Sequence, residues 1–182
     1  GKTAARTTLG DDMPMSRFAA LILALALMLP AVSSSARSPE MADVWNGAEI
    51  NWRDVRSGIY EASKSGKMAI MVFHAPWCSA CKKYRAVFKD ERIVEASKNF
   101  VMILIDADAD KMTNGAFSPD GTYVPRTLFV TSEGDVSTTL VGKDPQYPHT
   151  IDINSPDELL SLMQKAAPAS PSSPAAPAGD NR

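Results

Sequence analysis

The sequence predicts an α/β domain with a central mixed β-sheet flanked by helices on both faces. Three observations lead there. Two apolar runs, MAIMVFHA from Met68 and FVMILID from Phe100, are unbroken and short, as strands buried on both faces are. Helical periodicities lie between them, so a strand, helix, strand order joins parallel neighbours through a right-handed crossover. A hairpin-like stretch and a capped amphipathic helix then complete the domain.

In chain order, Asn51 precedes Trp52, Val55, Ile59 and Ala62, a helical spacing that runs to Gly66. This predicts a first helix capped by Asn51, with Asp54 three residues on. Ala80, Tyr84, Val87 and Phe88 repeat at helical spacing just after Cys78, and a second short helix is expected over Glu91 to Lys98. RTLFVTSEGDVSTTLVG, from Arg126, alternates on either side of Glu133-Gly134-Asp135 and predicts a hairpin. In SPDELLSLMQKA, Ser155 is placed to cap, Pro156 to open the helix and Glu158 to close a capping box. Leu159, Leu162, Met163 and Ala166 then share one face.

Composition sets the outer bounds. The 182 residues are 45% hydrophobic with a net charge of -2, ordinary for one globular domain and without the imbalance that points to nucleic acid. Residues 1–14 read as an upstream remnant outside the fold. Residues 15–36, MSRFAALILALALMLPAVSSSA, carry one Arg, an apolar run from Phe18 to Leu29 and then small residues, the layout of a signal peptide. That run falls short of the ~20 residues a spanning helix needs, so cleavage is expected, with an uncleaved membrane anchor as the alternative. Residues 37–44 are expected as a short linker, 45–167 as one monomeric domain, and 168–182, rich in Ala, Pro and Ser, as a disordered tail. The chain closes on Asp180-Asn181-Arg182 and not on a Lys-Asp-Glu-Leu signal, so a secreted or periplasmic home is expected, with the endoplasmic reticulum lumen as the alternative.

The chemistry lies in VFHAPWCSACKKY, Val72 to Tyr84, which holds both cysteines. A strand that delivers Cys-x-x-Cys onto a helix start would expose Cys78 at the first turn, where free amides stabilise a thiolate. Cys81, one turn further in, is placed to attack a mixed disulfide formed on Cys78. A structural staple is a weaker reading, because closing so short a loop removes little chain entropy. A zinc site would want four ligands, and only His74 and His149 are available to join the pair. The run DADADKMTNG begins like a calcium loop but has Lys111 where Gly is required and Phe117 where Glu is required. Asp106, Asp108 and Asp110 therefore read as solvated caps, and no metal and no cofactor are expected.

FHAPWCSACKKY resembles the active site of thioredoxin-fold oxidoreductases, in which Trp-Cys-x-x-Cys-Lys follows the central strand. YVPRTLFV resembles the loop that carries the cis-proline of that fold, here Pro125. INWRDVRSGIYEASKSGKMAIMVFHAPWCSACK, NFVMILIDAD and FSPDGTYVPRTLFV are similar, in that order, to the small secretory-pathway thioredoxin-domain proteins and their anterior gradient relatives. The active-site strand and helix are also similar to the C-terminal thioredoxin domain of DsbD.

The resemblance spans roughly Trp45 to Ala166 and implies an exported thiol-disulfide oxidoreductase of thioredoxin fold. In it Cys78 would attack and Cys81 resolve, the Val124 backbone would pair with a substrate strand, Pro125 would keep ligands off the cysteines, and Trp77 would shape an apolar docking surface. Partners would be protein thiols and disulfides, with an electron-donor or oxidant protein in the membrane or in solution. Lys82 would tune the thiolate, although a helix lysine is more simply solvated. His74 reads more simply as a satisfied core histidine than as a base modulating the pair, although Val72 nearby leaves a base's place vacant, and Arg126 as a residue that neutralises an acidic surface. One departure stands out: the family's buried carboxylate, six positions before the first cysteine, is Val72 here, so proton transfer at Cys81 must use water or another group. Two other readings are a protein-binding or chaperone-like module with dispensable cysteines, and a metallochaperone using the pair and a histidine. Reductases, oxidases and isomerases share the motif, and the direction of electron flow follows from the relative stability of dithiol and disulfide.

Overall fold

The computed structural model describes residues 39–167; the expected upstream remnant, signal peptide and disordered tail lie outside the described residues. The elements are β1 (Trp52–Arg53), α1 (Val55–Ser65), β2 (Ala69–His74), α2 (Ser79–Tyr84), α3 (Glu91–Ser97), β3 (Val101–Asp106), α4 (Lys111–Ala116), β4 (Arg126–Val130) and α5 (Asp157–Ala166), with 3-10 turns at Ala42–Trp45 and Val87–Lys89. The sheet order is β1-β3-β2-β4. β1 and β2 run parallel to β3, and β4 runs antiparallel to β2, which gives the mixed sheet the sequence predicts.

β2 is the central strand, and all six of its residues are buried. Alternation divides them: Ile70 and Val72 join the core that holds Cys78 and Cys81, while Ala69, Met71 and Phe73 join the core under α1. Each fully buried large apolar side chain contributes roughly 1.5–3 kcal/mol, so this strand fixes the sheet and the cysteine pair hangs from its end. On the α1 side, helix and sheet approach closely at Gly58, where an added Cβ would lie 2.5 Å from Ile103 Cγ1.

Four expectations need correction. Asn51 does not cap a helix; Trp52 and Arg53 pair with β3, and Asp54 takes the cap, its Oδ1 accepting the Ser57 N–H at 2.9 Å. Tertiary packing draws Trp52 out of helix: its indole packs 5.4 Å from Phe88 and donates to the Trp45 carbonyl at 2.7 Å. The predicted hairpin turns at Gly134, with φ 98°, but its return is a single bridge from Val130 to Val136. Past that bridge, Ser137 Oγ accepts the Leu140 N–H at 3.2 Å and bends the chain away from the sheet.

Glu158 closes no capping box. Its carboxylate accepts the backbone N–H groups of Lys143 at 2.9 Å and Asp152 at 2.6 Å, tying α5 to the preceding loop, and the helix starts at Asp157 without a side-chain cap. Finally, the expected 37–44 linker joins the fold at Ala42, which is buried beside Trp45. Trp45 is the hub of an aromatic cluster, with ring centroids 5.5 Å from Phe88 and 6.1 Å from Tyr84.

Candidate active site

Cys78 is the N-cap of α2, and its backbone is extended at φ -71°, ψ 109°. Its Sγ accepts the Cys81 N–H at 3.0 Å, a bond that a thiolate would strengthen. The two cysteines are joined as a disulfide with Cα atoms 5.2 Å apart. The sequence predicts an exposed Cys78, whereas it is only 3% exposed and Cys81 is fully buried. The reason is the neighbouring loop, whose Val124 carbonyl oxygen lies 3.7 Å from the Cys78 sulfur. In the dithiol form that carbonyl is within reach of the thiol.

The Val124-Pro125 peptide is cis. Its loop is anchored from behind, where Thr150 Oγ1 donates to the Pro125 carbonyl at 3.0 Å. Arg126 does not neutralise a surface. It is fully buried, lies 4.3 Å over the Phe73 ring, and donates to the Tyr123 carbonyl at 2.8 Å, to Asn114 Oδ1 at 2.8 Å and to the Phe117 carbonyl at 3.1 Å. Burial pulls its pKa down, against the counter-effects of Tyr123 and Asp120. Asp120 accepts from His149 Nδ1 at 2.9 Å and from the Tyr123 hydroxyl, and that hydroxyl accepts the His149 backbone N–H at 3.0 Å. Asp120, Tyr123, Arg126 and His149 thus brace the loop that covers Cys78.

Trp77 is 68% exposed, and its Nε1–H donates to Asp108 Oδ2 at 2.6 Å. Asp108 is therefore more than a solvated cap, since it tethers the indole beside the disulfide. Asp106 and Asp110 do serve as local caps: Asp106 Oδ1 accepts the Asp108 N–H at 2.9 Å, and Asp110 Oδ1 accepts the Thr113 N–H at 2.9 Å. Lys82 lies exposed on α2.

His74 is fully buried but is not the satisfied histidine the sequence suggests, because neither ring nitrogen has a hydrogen-bond partner. Burial lowers its pKa from 6.5 to about 4, with Asp106 acting to raise it and Arg85 to lower it. Tyr84, on the same side, donates to or accepts from Thr127 Oγ1 at 2.9 Å, and burial raises its phenol well above the usual value. Val72 is fully buried against this core, so no carboxylate occupies that position.

The sequence reading missed Asp108, Asp120, Tyr123 and the Tyr84–Thr127 pair as parts of the site. Only SPDGTYVPR carried a usable signal, since it places Asp120 and Tyr123 within a few residues of Pro125.

A family model described as thioredoxin-like matches residues 51–132. The chain is 30% identical over 155 residues to anterior gradient protein 3 of Mus musculus, covering 79% of this chain and 92% of that protein. To anterior gradient protein 3 of Xenopus tropicalis it is 27% identical over 156 residues, covering 84% of this chain and 93% of that one. Among solved structures, a thioredoxin from Thermus thermophilus superposes with a TM-score of 0.51 at 16% identity, over 64% of this chain and 86% of that one, and shows the shared fold. With that fold, the Cys-x-x-Cys disulfide and near full-length similarity in hand, the chain belongs to the anterior gradient family of thioredoxin-like proteins.

Proposed function

We propose that this protein exchanges disulfides with protein substrates through Cys78 and Cys81. The observation that carries the reading is the arrangement of the pair at the start of α2: the Cys78 sulfur holds the Cys81 amide at 3.0 Å, and Cys81 is sealed behind it. An amide donor aimed at sulfur favours the thiolate on Cys78. Cys78 attacks a substrate disulfide, and the buried Cys81 then displaces the substrate from the mixed disulfide. The Val124 carbonyl and Pro125 on one side, and Trp77 held by Asp108 on the other, form the rim on which a substrate strand lies. Lys82 adds positive charge on the exposed side of the helix. Run in reverse, the same steps oxidise a substrate dithiol, and equilibration with glutathione fixes the direction through the reduction potential.

Export of the protein is part of this reading, supported by the Arg17-led apolar run and the small residues that follow it. Recovery of a mature chain starting near Arg37 from the medium or periplasm tests it. The activity is tested by turnover of a protein disulfide substrate with glutathione as the second couple. Cys78→Ser is expected to abolish turnover, and undiminished turnover in that variant contradicts the proposal. Among the described residues no three His, Cys, Asp or Glu side chains converge on one point.

A further inference from the structure

Cys81 is fully buried, and as a thiol it has to lose its proton before it attacks. The core cluster that holds it also contains Ile70, Val72, Val87, Phe88 and Phe129, all apolar, and the Tyr84 hydroxyl is paired with Thr127. Strand alternation puts His74 on the same face of β2 as Ile70 and Val72, the face that packs against both cysteines. Its ring lies 5.3 Å from Trp45, a member of the same core. Both ring nitrogens are buried without a protein partner, which costs roughly 1–3 kcal/mol per unsatisfied group. Nearby, Trp45 Nε1 and two nitrogens of Arg85, which lies 5.6 Å over the Trp45 ring, are likewise buried and unpaired. These neighbours are donors only, so His74 supplies the proton acceptor of the cluster.

We propose that His74 takes the proton of Cys81 when Cys81 resolves a mixed disulfide on Cys78, the part that a carboxylate at position 72 cannot play in this chain. The inference rests on the thiol-disulfide exchange proposed above. Cys78 thiolate first attacks a substrate disulfide, forming the Cys78–substrate bond and releasing one substrate thiolate. The Cys81 thiol then passes its proton to a neutral His74 nitrogen, and the Cys81 sulfur attacks Cys78 Sγ. The Cys78–substrate bond breaks, the second substrate thiolate leaves, and the His74 proton neutralises it. The substrate disulfide gains two electrons and the cysteine pair loses two.

The charges around His74 suit this role. Asp106, opposite it on β3 in the register, favours the imidazolium, and Arg85 beyond α2 opposes it. Tyr84 on α2 is held neutral by burial, Glu158 on α5 acts on Tyr84, and Arg126 of β4 lies over Phe73 on the opposite face of the sheet. While Cys81 is in a disulfide, burial outweighs Asp106 and His74 stays neutral. A thiolate forming in the same core provides counter-charge that burial withholds.

The test is single-turnover resolution of a preformed mixed disulfide between Cys78 and glutathione in His74→Phe, which keeps the ring and removes both nitrogens. At about pH 7 resolution is expected to slow by at least about tenfold and to recover toward about pH 9, as solvent hydroxide takes over. The rate at which Cys78 forms the mixed disulfide stays unchanged. His74→Gln, measured over the same pH range, serves where the phenylalanine does not fold. Unchanged resolution in either folded variant across the range overturns the inference while leaving the exchange activity intact. Failure of the unmodified protein to form the mixed disulfide at all overturns the exchange reading itself.

Discussion

Behind the Val124-Pro125 loop, the terminal nitrogens of Arg126 reach Tyr123, Asn114 and Phe117, and Asp120 holds both Tyr123 and His149. In the core around Trp45, the His74 ring nitrogens, the Trp45 indole nitrogen and two nitrogens of Arg85 are equally buried, yet none finds a partner. Arg126 Nε and His149 Nε2 are the only such atoms in the first region. The two regions teach different lessons. Where a buried polar group is bonded it positions a loop; where it is left free it gives up stability, and in the proposal above it serves as a proton site.

Mutations that exchange these conditions break or sharpen the contrast. The largest effect is expected from Arg126→Met, which strands the Tyr123 and Phe117 carbonyls and should lower stability by at least about 3 kcal/mol, read from urea unfolding midpoints. His74→Phe should act in the opposite sense. The unfolded side chain titrates near 6.5 and the folded one at about 4, so the unfolded state binds more protons in that window. Stability contributed by neutral His74 is therefore intact above pH 6.5 and lost as pH falls toward 4, by up to about 3 kcal/mol. Urea midpoints at both ends of the window should show His74→Phe escaping this acid loss, with a smaller gain of about 1 kcal/mol at neutral pH.

Tyr123→Phe is milder. It leaves the His149 N–H and one Asp120 oxygen short of a partner, and thermal unfolding should show a loss of about 1 kcal/mol. Smallest in stability is Asp108→Ala, which removes an exposed acceptor and should change unfolding by less than about 0.5 kcal/mol. Its signature is instead local: the Trp77 indole N–H resonance should shift and broaden as the ring loses its tether.

How much of this was legible in the sequence depends on how local the cause is. The strands β2 and β3, and the cysteine pair at the start of α2, follow from apolar runs and from Cys-x-x-Cys spacing within a few residues. Trp52 has a genuine helical spacing, and only packing against Trp45 and Phe88 overrides it. Glu158 has capping-box spacing, but the Lys143 and Asp152 amides compete for its carboxylate. Asp108 lies 31 residues from Trp77, and Asp120 lies 29 from His149, so neither pairing leaves a mark on local pattern. The sequence suggests a surface charge for Arg126 because arginine is usually exposed; its burial is decided by acceptors on Tyr123, Asn114 and Phe117. The absence of a carboxylate at Val72 was plain in the sequence. That His74, expected in the core, is left there without a hydrogen-bond partner required the fold.

The account turns on Cys78 attacking and Cys81 resolving, and the most direct measurement is intact-protein mass spectrometry after each single-serine variant meets a disulfide substrate. Cys81→Ser should accumulate a substrate adduct on Cys78, and Cys78→Ser should carry none. An adduct on Cys81 in the Cys78→Ser protein at the rate seen for Cys78 would contradict it.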